Sequence, residues 1–342
     1  MKSYYNCNAF EDEAFEVKPE FSVLQSELVL KKLNKNNSAS FAKEKVEYKC
    51  KWKKQDNFDP EKPTIIIPTR NMKDLIKKTI ANLEDNSITK HCNLIVVDDR
   101  SDQDIKSLIG SYSYLRVDND RGFSFSMLNN IAALICHKLK CSQIILWNND
   151  LWTVNESNFL EFLRRHNESS STVSGSKLLY PPKEISFIKE DDSKNILEAF
   201  PQVSGNWRKT IQYAGTHFLP LMPKVQTLSP YHYKRFGDPQ DPRVNCDKGT
   251  NALTGALLII ELANFIALGG LNPSLAKNFQ DTDFCLKVIE NELHCYYFGK
   301  DLFFYHDESV SLAGSKLEDN QFLSDQVLFG KIWNDRISQL VI

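Results

Sequence analysis

From position 63 onward, short apolar or β-branched runs alternate with stretches of helical spacing, and nearly every run stops at a polar turn. The run at 64–67 closes at Pro68, and Asn71 is placed to cap a helix whose apolar positions Leu75, Ile76, Ile80 and Leu83 recur at helical intervals. Runs at 94–97, 115–117 and 144–147 follow, separated by a short helix near 105–109 and a longer one over about 126–139. Strands spaced by helices in this order predict an α/β fold with a mostly parallel, Rossmann-like sheet covered by helices on both faces, joined by right-handed crossovers. Ligands of such sheets sit outside the carboxyl ends of the strands, where this chain concentrates its polar residues.

Composition removes several classes. The 342 residues are 42% hydrophobic, enough for a core of their own, and a formal net charge of −2 supplies no global basic field for nucleic acid. Apolar runs such as 94–97 and 256–260 fall far short of the roughly 20 residues a membrane helix needs. The acidic, aromatic start lacks the apolar stretch of a secretory signal, which predicts a cytoplasmic protein. Eight cysteines form no Cys-x-x-Cys pair, so zinc has little support; Cys285 and Cys295 read as small buried hydrophobes.

The expected organisation is an N-terminal extension over 1–62, a main domain over 63–311 and a helical tail over 312–342. Within the main domain, 63–150 and 151–311 form two halves. Spacing at 21–33 suggests an amphipathic helix, and Lys51–Lys54 form a basic cluster with solvent or anionic lipid as its neighbour. Prolines break the stretch 181–251, which reads as an acceptor-binding elaboration or a lid. Order resumes with a strand at 254–260, a helix at 261–268, a Gly269–Gly270 break, a helix at 281–291 and strands at 294–297 and 302–305. In the tail, Phe322, Val327, Phe329 and Trp333 are available to pack on the body.

Five segments carry the candidate chemistry: IIIPTRN at 65–71, VVDDRS at 96–101, WNND at 147–150, QDTDFCLKV at 280–288 and YHDES at 305–309. Asp98 and Asp99 follow a buried strand, where a carboxylate can bind ribose hydroxyls or a base, or can simply hold the turn. Asn148, Asn149 and Asp150 end another strand with the oxygen ligands that a hard cation prefers. Helical spacing aligns Asp281 with Phe284, Cys285 and Val288, which turns its carboxylate inward at the first turn of a helix; Asp283 reads equally as a helix-terminal charge. His306 is a potential metal ligand, with Asp307 or Glu308 to orient its ring. Arg121 and Gly122 lead into a helix whose N-terminus could face phosphate or sugar. No Gly-x-Gly-x-x-Gly follows the first strand and no P-loop occurs, which counts against hydride carriers and P-loop phosphoryl transfer.

In this order the segments resemble the family 2 glycosyltransferases with the GT-A (nucleotide-diphospho-sugar transferase) fold, over about 63–311. IIIPTRN, with Pro68 and Thr69, looks like the family's opening strand, VVDDRS like its Asp-Asp-x-Ser turn, and RGFSFSMLNN like the loop before its third helix. TGALLI at 254–259 and GGLNP at 269–273 look like parts of its acceptor half. Asn148-Asn149-Asp150 stands at the family's Asp-x-Asp position, and Gln280 stands where Glu or Asn is usual. The resemblance implies that Asp99, with Asp98 beside it, contacts the base or ribose of a nucleotide-diphospho-sugar donor. It implies that Asp150 and His306 hold Mn2+ or Mg2+ on the diphosphate, and that Asp281 deprotonates an acceptor hydroxyl in an inverting transfer. Gly255 and Ala256 would let the backbone pass close to the sugar.

The implied setting is surface glycan or polysaccharide synthesis on a glycan or lipid-linked acceptor, in the cytoplasm or at the inner face of the membrane, with peripheral membrane contact allowed for. Rival readings are an inactive nucleotide-sugar or glycan-binding relative, a sugar nucleotidyltransferase and a scaffold. The first would be expected to have lost Asp150, Asp281 or His306. The second would show a Gly-rich phosphate loop with a basic residue after the first strand, and the third gives no reason for acids at successive strand ends.

Overall fold

A computed structural model of the chain describes residues 14–17, 48–118, 122–187, 207–222, 225–275, 277–307 and 316–340. The expected helix at 21–33, Arg121 and Glu308 lie outside the described residues. The centre of the fold is a parallel quartet: β5 (Ser113–Asp118), β4 (Asn93–Asp98), β3 (Thr64–Thr69) and β6 (Gln143–Trp147), adjacent in that order. Every residue of β3 and β4 is buried, as expected when both faces of a parallel sheet are covered.

Beyond β6 the sheet continues through β13 (Leu257–Glu261), β8 (Val173–Leu179), β14 (Cys295–His306) and β12 (Asp247–Gly249). On the other side β2 (Tyr48–Lys53) pairs with β5 and β1 (Ala14–Val17) with β2, so two strands of the expected extension join the same sheet. Two short strands, β7 (Leu151–Trp152) and β9 (Ile211–Tyr213), branch off β14 and β8. Pairing directions give β1, β3, β4, β5, β6, β8 and β14 one sense and the other five strands the opposite sense. The mostly parallel sheet that the alternation predicts is therefore present, with β13 running against its neighbours between the two halves.

Helices cover the faces for sequence reasons. α1 (Lys73–Asp85) buries Leu75, Ile76, Thr79, Ile80 and Leu83 along one stripe. The short α2 (Lys106–Ile109) precedes β5. α3 (Phe125–Lys138) is buried on all sides from Phe125 to Cys136, and the Ser124 side chain caps it by accepting from the Met127 backbone N–H at 3.3 Å. α4 (Glu156–Glu168) buries Phe159 and Phe162, and α5 (Leu262–Ala267) buries Leu262 and Phe265.

Three expectations need correcting. Asn71 does not cap α1: it sits at φ 56° with its Oδ1 accepting from the Asp102 N–H at 2.9 Å, while Gln103 Oε1 accepts from the Lys73 N–H at 2.7 Å. The strands expected at 294–297 and 302–305 are one strand, β14, with a register shift between Phe298 and Phe303. In the tail, α7 (Lys316–Leu340) buries Phe329 and Trp333 with Leu275, Phe279 and Leu286 in a second core, but Val327 stays 57% exposed. The Lys51–Lys54 cluster begins in β2, where Trp52 is buried between exposed Lys51 and half-buried Lys53.

Candidate functional site

The turns after β3, β4 and β6 interlock at one end of the sheet. Thr69, the last residue of β3, accepts from Asn149 Nδ2 at 3.1 Å, and the Thr79 hydroxyl of α1 donates to the Asn149 carbonyl. Thr69 O also accepts from the Asp99 N–H at 2.9 Å, which binds the first two turns. Asp98 is fully buried. Its Oδ1 accepts from the Ser101 N–H at 2.9 Å, and its Oδ2 accepts from the Tyr114 hydroxyl and from Arg116 at 3.2 Å. That environment, led by burial and then by the Asp98 carboxylate, pushes the Tyr114 phenol upward. Asp98 thus holds the turn, as the structural reading of Asp-Asp-x-Ser allowed. Asp99 is also buried, with Arg70 and Arg100 nitrogens 3.6 and 3.9 Å from its carboxylate.

The longest-range strand pairing among the described residues joins β7, just after β6, to the end of β14. β7 pairs antiparallel with β14, setting Leu151 opposite His306, and the Asp307 N–H donates to the Asp150 carbonyl at 3.0 Å. This brings His306 Nε2 within 3.1 Å of Asp150 Oδ1, both side chains being only 7% exposed. Asn148 Nδ2 lies 3.2 Å from the same ring nitrogen. Asp150 Oδ1 makes no hydrogen bond among the described residues despite its burial. Asp307 is fully buried; its carboxylate accepts from the Ser186 hydroxyl at 2.6 Å and from the Phe187 N–H, and burial pushes its pKa up. Ser186 and Phe187 are thereby tied to the residue that follows His306.

The third component is α6 (Gln280–Glu290). Asp281, in its first turn, is half-buried, and its Oδ2 accepts from the Gly255 N–H at 2.7 Å. Its Oδ1 accepts from the Thr282 N–H, also at 2.7 Å. The Thr282 hydroxyl also reaches Oδ1 at 3.4 Å, and since a carboxylate offers about four lone-pair sites, acceptor capacity remains on Oδ2. Space at Gly255 is tight: a Cβ there would stand 3.2 Å from Phe125 Cε1 and 3.4 Å from Asp281 Cβ. The next residue closes the site, because Ala256 O accepts from the Asn148 N–H at 3.0 Å. Residues 255 and 256 therefore touch the Asp281 carboxylate on one side and the Asn148–Asp150 turn on the other.

Other candidates fall elsewhere. Asp283 points away from Asp281: it is fully buried, accepts from Trp333 Nε1 at 2.9 Å and pairs with Lys287 at 2.7 Å, so it ties α6 to α7. Gly122 has open space around it. Pro68 lies buried within β3, in register with Val97. One contact was absent from the sequence reading: Gln212 of β9, 1% exposed, lies with Oε1 3.2 Å from His306 Nδ1. Only the pairing of β9 with β8 brings it there, and no periodicity marks it.

The residues fit a divalent cation in one respect. A spacing of 3.1 Å between Asp150 Oδ1 and His306 Nε2 is that of adjacent ligands about an ion with bonds of about 2.1 Å. Among the described residues no cluster of three or more His, Cys, Asp or Glu side chains forms a metal site, so further ligands would have to come from a bound phosphate. Among the described residues, no helix is long and apolar enough to cross a membrane.

No family model matches the chain. A curated relative, the uncharacterized protein y4gI of Sinorhizobium fredii (strain NBRC 101917 / NGR234), is 27% identical over 232 residues, which is 66% of this chain and 22% of that protein. Similar solved structures include GalNAc-T7 with UDP, GalNAc and Mn2+ (TM-score 0.49, 13% identity, 73% of this chain and 44% of that one). The mannosyltransferase PcManGT from Pyrobaculum calidifontis in complex with GDP-Man and Mn2+ has a TM-score of 0.45 at 12% identity, over 89% and 68% of the two chains. S. aureus TarS 1-349 in complex with UDP-GlcNAc has a TM-score of 0.47 at 13% identity, over 82% and 70%. The chain thus spans under a quarter of its curated relative and under half of GalNAc-T7.

Proposed function

We propose that this chain is a glycosyltransferase that moves a sugar from a nucleotide-diphospho-sugar to an acceptor hydroxyl with inversion at the anomeric carbon. The observation that carries the reading is the facing pair Asp150 Oδ1 and His306 Nε2, two metal-type donor atoms 3.1 Å apart, the carboxylate oxygen having no hydrogen bond among the described residues. A divalent cation held by these two side chains would neutralise charge on the diphosphate leaving group. Asp281 accepts the proton of the attacking hydroxyl, and the hydrogen bonds from the Gly255 and Thr282 N–H groups hold its carboxylate in place for that task. Asp99 and Thr69 border the end of the sheet where the nucleotide would bind. An acceptor that is a glycan or lipid-linked sugar, and a role in surface polysaccharide synthesis, complete the proposal.

The test is a panel of UDP- and GDP-sugars with the full chain, with Mn2+ and then with chelator, followed by NMR of the anomeric configuration of any product. The expected result is thermal stabilisation by one nucleotide family only when Mn2+ is present, with an inverted product. Turnover indifferent to chelator, or retention of configuration, would overturn it.

A further inference from the structure

We infer that Gln212 is a positioning residue that fixes the tautomer of His306 and so makes its Nε2 available as a metal ligand; this rests on the glycosyl-transfer reading above. An imidazole coordinates through a nitrogen that carries no hydrogen, and the hydrogen bond at its other nitrogen selects which one that is. Two independent contacts agree here. Gln212 Oε1, which can only accept, lies 3.2 Å from His306 Nδ1 and places the hydrogen there. Asn148 Nδ2, which can only donate, lies 3.2 Å from Nε2 and marks that nitrogen as the acceptor.

The alternative tautomer has its own attraction. A hydrogen on Nε2 would point toward Asp150 Oδ1, 3.1 Å away, and would satisfy that buried carboxylate. Such a ring would be unable to bind a cation through Nε2. Gln212 opposes this outcome from the far side of the ring, and its main chain is held in turn: His232 Nδ1 lies 3.2 Å from the Gln212 carbonyl, to which a ring N–H donates. His232 is brought there by the pairing of β10 (Thr216–Met222) with β11 (Val225–His232), which sets it opposite Thr216. The Pro-broken middle of the chain thereby supplies a support for a ligand at the far end of the sheet.

The experiment is 15N NMR of histidine-labelled, metal-free full chain at pH 8, with Mn2+ affinity measured by calorimetry in the presence of a nucleoside diphosphate. Expected are a pyrrole-type Nδ1 and a pyridine-type Nε2 for His306. Gln212→Glu, which keeps an acceptor, should retain both the signature and the affinity. Gln212→Leu should shift the ring toward the Nε2–H form and weaken Mn2+ binding by about 10- to 100-fold. An Nε2–H signal in the unaltered protein overturns the inference without recourse to any variant, as does a Gln212→Leu protein that binds Mn2+ at full strength. An unaltered protein with the expected signature that binds no Mn2+ would instead defeat the metal reading on which the inference stands.

Discussion

Replacing Asp281 with Asn separates the two tasks of the carboxylate. In the native site Oδ2 and Oδ1 each accept a backbone N–H at 2.7 Å, from Gly255 and Thr282. Asparagine keeps one acceptor and presents an NH2 group to the other donor, so one N–H loses its partner. Losing a hydrogen bond to a charged acceptor costs about 1.5–3 kcal/mol when the donor is buried, and Asp281 is half-buried, which places the cost at about 1–2 kcal/mol. For a chain of this size that corresponds to a fall in Tm of about 1.5–3 °C. On the proposed function the substitution also removes the base, and kcat should drop about 10²- to 10⁴-fold. Donor affinity should stay within about threefold, because no donor contact is assigned to this side chain. Calorimetry gives the Tm and the donor Kd, and initial rates give kcat. Turnover within tenfold of the parent would place the base elsewhere. A lost donor Kd at full stability would make Asp281 a binding group.

Asp150→Asn should abolish Mn2+-dependent nucleotide binding while leaving the metal-free Tm unchanged or higher, since the native Oδ1 is buried without a hydrogen bond among the described residues; calorimetry with and without Mn2+ checks both. Asp283→Ala should destabilise by about 3–5 kcal/mol, because it strands the buried Lys287 ammonium and the Trp333 indole N–H, yet turnover per folded molecule should persist in assays below the melting range. Lys177 of β8 is buried against Pro239 O and Asn245 Oδ1, and burial lowers its pKa to about 8. Between pH 8 and 10.5 the unfolded chain then holds more protons at this site than the folded one, so its contribution to stability rises with pH across that window. Urea unfolding of the parent and Lys177→Met should therefore diverge in the parent's favour from pH 8 to 10.5, and a constant difference would refute the shifted lysine.

How much of this could be read from the amino-acid order depends on range. The parallel quartet was legible because its strands are buried on both faces and separated by amphipathic helices such as α1. Asn148–Asp150 was legible as a polar stop after an apolar strand. The reversal at β13 was not, since side-chain alternation is the same for either strand direction. Asn71 misled because its residue type suits a cap, whereas the left-handed backbone at 71 and 72 turns it toward the next loop. The partnership of Asp150 with His306 came from the family resemblance rather than from pattern: 156 positions separate them, and only the β7–β14 ladder joins them. Gln212 had no signal at all, because its neighbours are set by pairing within the Pro-broken middle.

The Gly255–Ala256 dipeptide has a consequence for how variants combine. One peptide unit donates to Asp281 and the next accepts from the Asn148 turn, so the Asp281 carboxylate and the Asn148–Asp150 turn share a single spacer. A bulkier residue at 255 would press on Phe125 and Asp281 together, and a shift of that spacer would be transmitted to position 148. Paired substitutions at 255 and 148 should accordingly show strong epistasis, with losses that fail to sum, whereas those at 255 and 177 should behave independently.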